Sequence, residues 1–267
     1  MKTIAILSTA GGAGRTTLTA ALAMLLARRG RPVVAVDFDP QNLLGAHLGL
    51  DELPPAGIGA AITSDAPWHA HTWSNEEGVL FVPYGEMPDA PDGALASLPP
   101  TTLRLAEEPD WLARSLGGID LPGQGVVLID TPRYPSMHAA QALRCADLVV
   151  CVTPPEPGAL ATLVRHLPKL RAAGKRPLFV LNRLNPAREM QRDALSMLTA
   201  ALGRGVAPVM RLHADAALPE AFARGSWLFD DAPYSQTSHD LHGLASAVEE
   251  QLAALDESSR VPGAELK

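Results

Sequence analysis

Residues 3–17, TIAILSTAGGAGRTT, decide the fold. Ile4-Ala5-Ile6-Leu7 is an apolar run long enough for one buried strand. Gly11-Gly12-Ala13-Gly14 is a glycine-rich turn, and LTAALAMLLARRG after it is a helix-forming stretch closed by Gly30. Strand, glycine loop and helix in that order cradle a phosphate chain. Glycines let the backbone approach and point its N–H groups inward, and the helix N-terminus adds partial positive charge. The phosphate-loop pattern is G-x-x-x-x-G-K-[ST]. Gly14 fits its second glycine and Thr16 the hydroxyl that holds magnesium, whereas Thr9 stands at the first glycine and Arg15 at the lysine. The match is partial.

Working outward, Pro32 to Val36 reads as a second buried strand that ends in Asp37-Phe38-Asp39-Pro40-Gln41. Acids at the carboxyl end of a strand, beside a phosphate loop, sit where open parallel sheets bind ligands. The bland alternative is a turn with Asp caps, followed by a helix from Asn42 to Leu48. At this spacing from the glycine loop the ligand reading is the stronger. Val126 to Ile129 is another buried strand, ending in Asp130-Thr131-Pro132-Arg133. That is the Walker B arrangement, in which the acid reaches magnesium, usually through water. Leu178 to Leu181 ends in Asn182-Arg183, where an Asn either reads a base with its amide or sits in a turn.

Further strands are read at Val79–Val82, Leu148–Val152 and Ala207–Met210. Helices are read at residues 101–116, 158–173, 187–202, 215–223 and 235–255, with one short helix inside 53–65. Residues 87–100 read as a Pro/Asp/Gly-rich loop. Strands separated by helices predict an α/β fold, a doubly wound, mostly parallel sheet flanked by helices. Residues 1–255 form one domain in this reading, and 256–267 a flexible polar tail.

The 267 residues carry a formal net charge of −7, which argues against a nucleic-acid partner. Met1-Lys2 leads straight into a strand with no cleavage site, and no apolar run reaches the roughly 18–20 residues that span a bilayer. The expected location is cytoplasmic, with any membrane contact indirect. Cys145 and Cys151 read as small core residues in a reducing compartment. His69 and His71, and His239, Asp240 and His242, are candidate metal ligands by type and spacing but read as surface residues.

AGGAGRTT, DFDPQ, LIDTPR and LNR, in this order and spacing, resemble the deviant-Walker ATPases of the ParA/MinD group. A narrower resemblance is to the cellulose-biosynthesis BcsQ (YhjQ) family. It rests on Asn42-Leu43-Leu44 before Gly49-Leu50-Asp51, Trp68, Val82-Pro83-Tyr84-Gly85, the Asp130 to Arg133 run and the stretch from Leu212 to Asp230. The resemblance implies a P-loop fold, ATP and Mg2+ as cofactors, and a sandwich homodimer with two nucleotides at its interface. It also implies a small BcsR-like partner and the cellulose synthase complex at the inner membrane or cell pole. Carried over by position, Gly11, Gly12, Ala13, Gly14, Arg15, Thr16 and Thr17 would line the phosphates. Thr16 would ligate magnesium, with Asp37 and Asp130 beside it. Asp39 would orient the attacking water, and Asn182, next to Arg183, would face adenine.

Two departures stand out. The group's signature lysine, which reaches the partner's phosphates, is Ala10 here, and the phosphate-loop lysine is Arg15. Arginine keeps the charge but is larger and planar. Losing a transition-state cation costs about 10³-fold or more in rate, judged from arginine fingers. Backbone N–H groups and magnesium still hold the phosphates, so ATP binding with weak or absent hydrolysis is expected. Arg133 is the candidate substitute cation. The alternatives are a cycling ParA/MinD-type ATPase that positions or partitions cargo, and a dinucleotide oxidoreductase. The latter lacks its third glycine, because Thr17 stands there.

Overall fold

The computed structural model describes residues 1–64, 66–86, 98–175, 177–203 and 209–260, with the side chains of 258–260 excepted. The strands are β1 Lys2–Leu7, β2 Val33–Asp37, β3 Trp73–Ser74, β4 Leu80–Val82, β5 Val126–Asp130, β6 Leu148–Thr153, β7 Leu178–Leu184 and β8 Met210–His213. The helices on the first half are α1 Arg15–Arg28, α2 Leu44–His47, α3 Ile58–Ser64, α4 Pro100–Glu107, α5 Trp111–Leu116 and α6 Met137–Cys145. Those on the second half are α7 Pro157–Ala172, α8 Glu189–Leu202, α9 Ala217–Ala223, α10 Leu228–Asp231 and α11 Gln236–Arg260.

The sheet runs β3-β4-β2-β5-β1-β6-β7-β8. Every neighbouring pair is parallel except the edge pair β3–β4. The central strands are apolar runs buried along their full length, as a sheet covered on both faces requires. Residues of α1, α2, α10 and α11 pack one face, and residues of α3 to α8 pack the other. α1 carries buried side chains at every position from Leu18 to Leu26, because it is wedged between sheet and α11. The doubly wound fold expected from the alternation of strands and helices is the one observed.

Local differences from the sequence reading have local causes. The helix expected over 101–116 is two helices, broken at Glu108. Pro109 follows, and it pushes the residue before it out of the helical region; Glu108 has φ −118 and ψ 80. β7 continues through Asn182 and Arg183 to Leu184, with an irregularity in its pairing between Leu181 and Leu184 and a left-handed Arg183 at φ 62. The last strand lies at Met210–His213 rather than 207–210, and residues 204–208 are outside the described residues. The loop expected at 87–100 falls mostly outside them too, although Pro100 already begins α4. α11 extends to Arg260, and the end of the expected tail, 261–267, is not among the described residues. The helix α6 and the two-residue strand β3 had not been expected.

Candidate functional site

The register of the sheet assembles the phosphate end. Asp37 pairs with Asp130 across β2 and β5, and Ile6 of β1 pairs with Asp130 from the other side. Two carboxylates therefore stand side by side where β1 gives way to the glycine loop. The Phe38 N–H donates to the Asp130 carbonyl at 2.9 Å and locks the two strand ends together. Gly14 opens α1 in the left-handed region (φ 91), and Gly12 shares that region at φ 63. Gly11 and Gly12 are exposed at the loop tip, whereas Ala13 is buried behind it.

The acids differ in their surroundings. Asp37 is fully buried and spends both oxygens on the backbone: Oδ1 accepts from the Asp39 N–H at 3.1 Å, and Oδ2 from the Leu44 N–H at 2.9 Å. Burial, then the charge of Asp130, holds its pKa well above the ordinary carboxylate range. Asp130 accepts from the Thr16 hydroxyl, and Thr19 Oγ1 lies 3.4 Å from its Oδ1. Its Oδ2 is buried with no partner. Burial pushes Asp130 up to about 7. Asp39 caps the Gln41 N–H at 3.1 Å and turns its other oxygen to Arg15, 3.7 Å away. The Arg15 guanidinium also donates to the Ala10 carbonyl at 3.1 Å.

This donor set fits a hard divalent cation: carboxylate and hydroxyl oxygens only, one carboxylate oxygen unpartnered in the interior, and neighbouring acids whose protonation a cation would reverse. It also fits a phosphate chain. An added Cβ at Gly11 or Gly12 would meet nothing, so the loop is open above them, and α1 presents its N-terminus there.

The second half of the site lies toward the other sheet edge. Asn182 Nδ2 donates to the Ala13 carbonyl at 2.8 Å, and its Oδ1 accepts the Arg183 N–H at 3.0 Å. A Cβ on Gly14 would sit 2.5 Å from Asn182 Nδ2, so only glycine allows this approach. Asn182 and Arg183 border a cavity of about 540 Å³ together with Thr17, His47, His213 and Phe222. His47 and Phe222 stack with ring centroids 3.9 Å apart and planes 20° apart. Burial lowers His47 to about 4, so the ring is neutral at neutral pH. His213 is held by Asp240 Oδ2 at 2.7 Å from Nδ1. Asp240 thus turns inward on α11, while His239 and His242 are exposed as expected.

Thus Gly14 to Thr17, Asp37, Asp39 and Asp130 converge at one end, and Asn182 and Arg183 stand one loop away. The sequence reading missed His47, His213 and Phe222, none of which carries a signal of its own: His213 and Phe222 lie inside the stretch from Leu212 to Asp230 likened to the family, and His47 lies between Leu44 and Gly49. Arg133 is exposed and borders a separate cleft of about 450 Å³ with Ala10, Gly11 and Tyr134. A further cleft of about 500 Å³ opens at the far end of α1, where Arg28 is engaged by Glu77 and Asp230; none of the residues singled out for the phosphates borders it.

A mostly parallel sheet with a glycine loop after its central strand, acids at two neighbouring strand ends and a cavity bordered by Asn182 and Arg183 beyond defines a P-loop nucleotide-binding protein of the ParA/MinD type. The septum site-determining protein MinD of Pyrococcus horikoshii, solved with Mg-ADP, shares the fold. Its TM-score is 0.73 at 25% identity, over 95% of this chain and 98% of that one. The chain belongs to the family described as "Cellulose biosynthesis protein BcsQ", which it matches over residues 1–248. It is also 30% identical to the chromosome-partitioning ATPase Soj of Thermus thermophilus, over 93% of this chain and 95% of Soj. An uncharacterized ATP-binding protein of Methanocaldococcus jannaschii is 28% identical over 73% of this chain and 70% of its own.

Proposed function

We propose that this chain is an ATP-binding accessory protein of cellulose synthesis that acts as a nucleotide-gated homodimer. The observation that supports it most is the pairing of a complete phosphate end with an altered set of cations. The buried acids, Thr16 and the open glycine loop are in place, yet residue 10 is Ala, and Arg15 is engaged with Ala10 and Asp39.

In this reading the N–H groups of Gly11 to Thr17 and the Arg15 charge hold the phosphates, and Thr16 with Asp130 holds Mg2+. Asp37, with both oxygens used by backbone, shapes the turn that brings Asp39 to the loop. The cation would neutralise phosphate charge. Asn182 and Arg183 border the cavity for the base. Asp39 is placed to orient a water, and Arg133 is the cation available beside the loop tip. With no lysine at residue 10 to cross the interface, transition-state charge is poorly met and hydrolysis is slow. ATP then acts as a durable glue, and the dimer docks with a small BcsR-like protein on the cellulose synthase complex. Among the described residues no helix is long and apolar enough to cross a membrane, so membrane contact would run through those partners.

Light scattering on the full chain with ATP, ADP and no nucleotide tests the reading. A dimer that forms or tightens only with ATP is expected. A mass that ignores nucleotide would end it. The similarity to Soj favours, as second reading, a cycling ATPase that positions cargo; it predicts steady phosphate release.

A further inference from the structure

Arg15 stands where a phosphate loop carries lysine, but its guanidinium does not project freely into the loop. The side chain is 11% exposed and arches across its own loop. Nη1 donates to the Ala10 carbonyl at 3.1 Å, and Nη2 lies 3.7 Å from Asp39 Oδ2, whose side chain is 8% exposed. Nε is buried with no partner. The group thus donates one hydrogen bond, lies within ion-pair range of the acid, and is unsatisfied at its third nitrogen. A lysine has one compact ammonium and no fork, and could not bridge the loop carbonyl and the acid in this way.

We propose that Arg15 and Asp39 form a latch across the phosphate loop, released when a polyphosphate replaces Asp39 as the acceptor. Phosphate oxygens offer the guanidinium the several in-plane acceptors that it lacks now, the unpartnered Nε included. Release frees Asp39 at the same moment. The acid that would orient water is therefore engaged by Arg15 until a polyphosphate draws Arg15 away. This rests on the nucleotide-binding reading and adds an entry control to it. The control is specific to arginine at residue 15.

The test is a double-mutant cycle of ATP affinity, by calorimetry on the full chain with Mg2+. Asp39→Asn keeps an oxygen for the Gln41 N–H, which Asp39 now caps at 3.1 Å, but removes the charge that holds Arg15. The four forms are the wild type, Asp39→Asn, Arg15→Ala and the double variant; Arg15→Gln serves if the alanine form does not fold. The latch predicts that Asp39→Asn tightens ATP binding about tenfold with Arg15 present and less than about twofold without it, a coupling usual for contacting charges. If Asp39 merely repels phosphate, the gain is equal in both backgrounds and the latch is overturned. If none of the four forms binds ATP, the nucleotide reading falls together with the latch.

Discussion

The proposed phosphate end and the proposed base end of the site are built by different means. At the phosphate end, strand ends do the work: a glycine loop directly after β1, and acids at the last positions of β2 and β5. Sheet register alone brings Asp37 and Asp130 together, and backbone hydrogen bonds from Phe38, Asp39 and Leu44 fix the geometry. At the base end the cavity is walled by side chains from residues 17 to 222, and its aromatic wall is a single stack of His47 on Phe222. Strand ends leave few alternatives, so the first region tolerates little change. The second can exchange side chains without disturbing the sheet. The two meet at Gly14, whose neighbour Ala13 takes the Asn182 hydrogen bond.

Gly14→Ala should break both at once. The left-handed conformation disfavours any side chain, and the new Cβ would displace Asn182 from 2.5 Å. A loss of about 10³-fold in ATP affinity is expected by calorimetry, with a lower melting temperature.

Each end also carries a neutral buried histidine. His138 lies under the phosphate end, 3.0 Å from the Tyr84 hydroxyl and edge-on to Phe38, and burial lowers it from 6.5 to about 4. The unfolded chain takes up this proton below about 6.5 while the folded chain does not. The His138 share of the stability should therefore be full above pH 6.5 and be lost as pH drops toward 4, by up to about 1.4 kcal/mol per unit, while the raised Asp37 and Asp130 act in the opposite direction over that range. Urea unfolding of the wild type and of His138→Gln across that range measures it as the difference between their two slopes, with the variant losing less stability as pH falls. A slope unchanged by that substitution would take His138 out of the account.

Asp130→Asn should cut ATP affinity about tenfold in Mg2+ and scarcely at all in EDTA, which assigns its unpartnered Oδ2 to the cation. Equal loss in both would assign it to the fold instead. Phe222→Ala removes one ring of the stack. It should weaken ATP about fivefold and leave inorganic triphosphate unaffected, which separates base end from phosphate end. Arg133→Ala should have the smallest effect, about twofold or threefold on phosphate release with affinity intact. No change in either quantity would end its role as substitute cation.

The contrast between the ends also explains what the sequence disclosed. Asp37, Asp130 and the glycine loop announced themselves because apolar runs ending in acid, and glycines before a helix, are one-dimensional signatures of strand ends and tight turns. Asn182 was legible as the end of an apolar run, but not its bond to Ala13 across 169 residues. His47 and Phe222 gave no signal, since a stack between α2 and α9 has no spacing that periodicity can detect. Arg15 was visible as a departure, whereas its hold on Asp39 depends on side-chain reach across the loop. The break at Glu108 could have been read from Pro109.

The most direct test of the central claim is to follow oligomer mass and released phosphate together, in one sample, after adding ATP and Mg2+. The account predicts a dimer that persists while phosphate is released only slowly. A burst of phosphate followed by return to monomer would contradict it, and would make the chain a working switch despite Ala10 and Arg15.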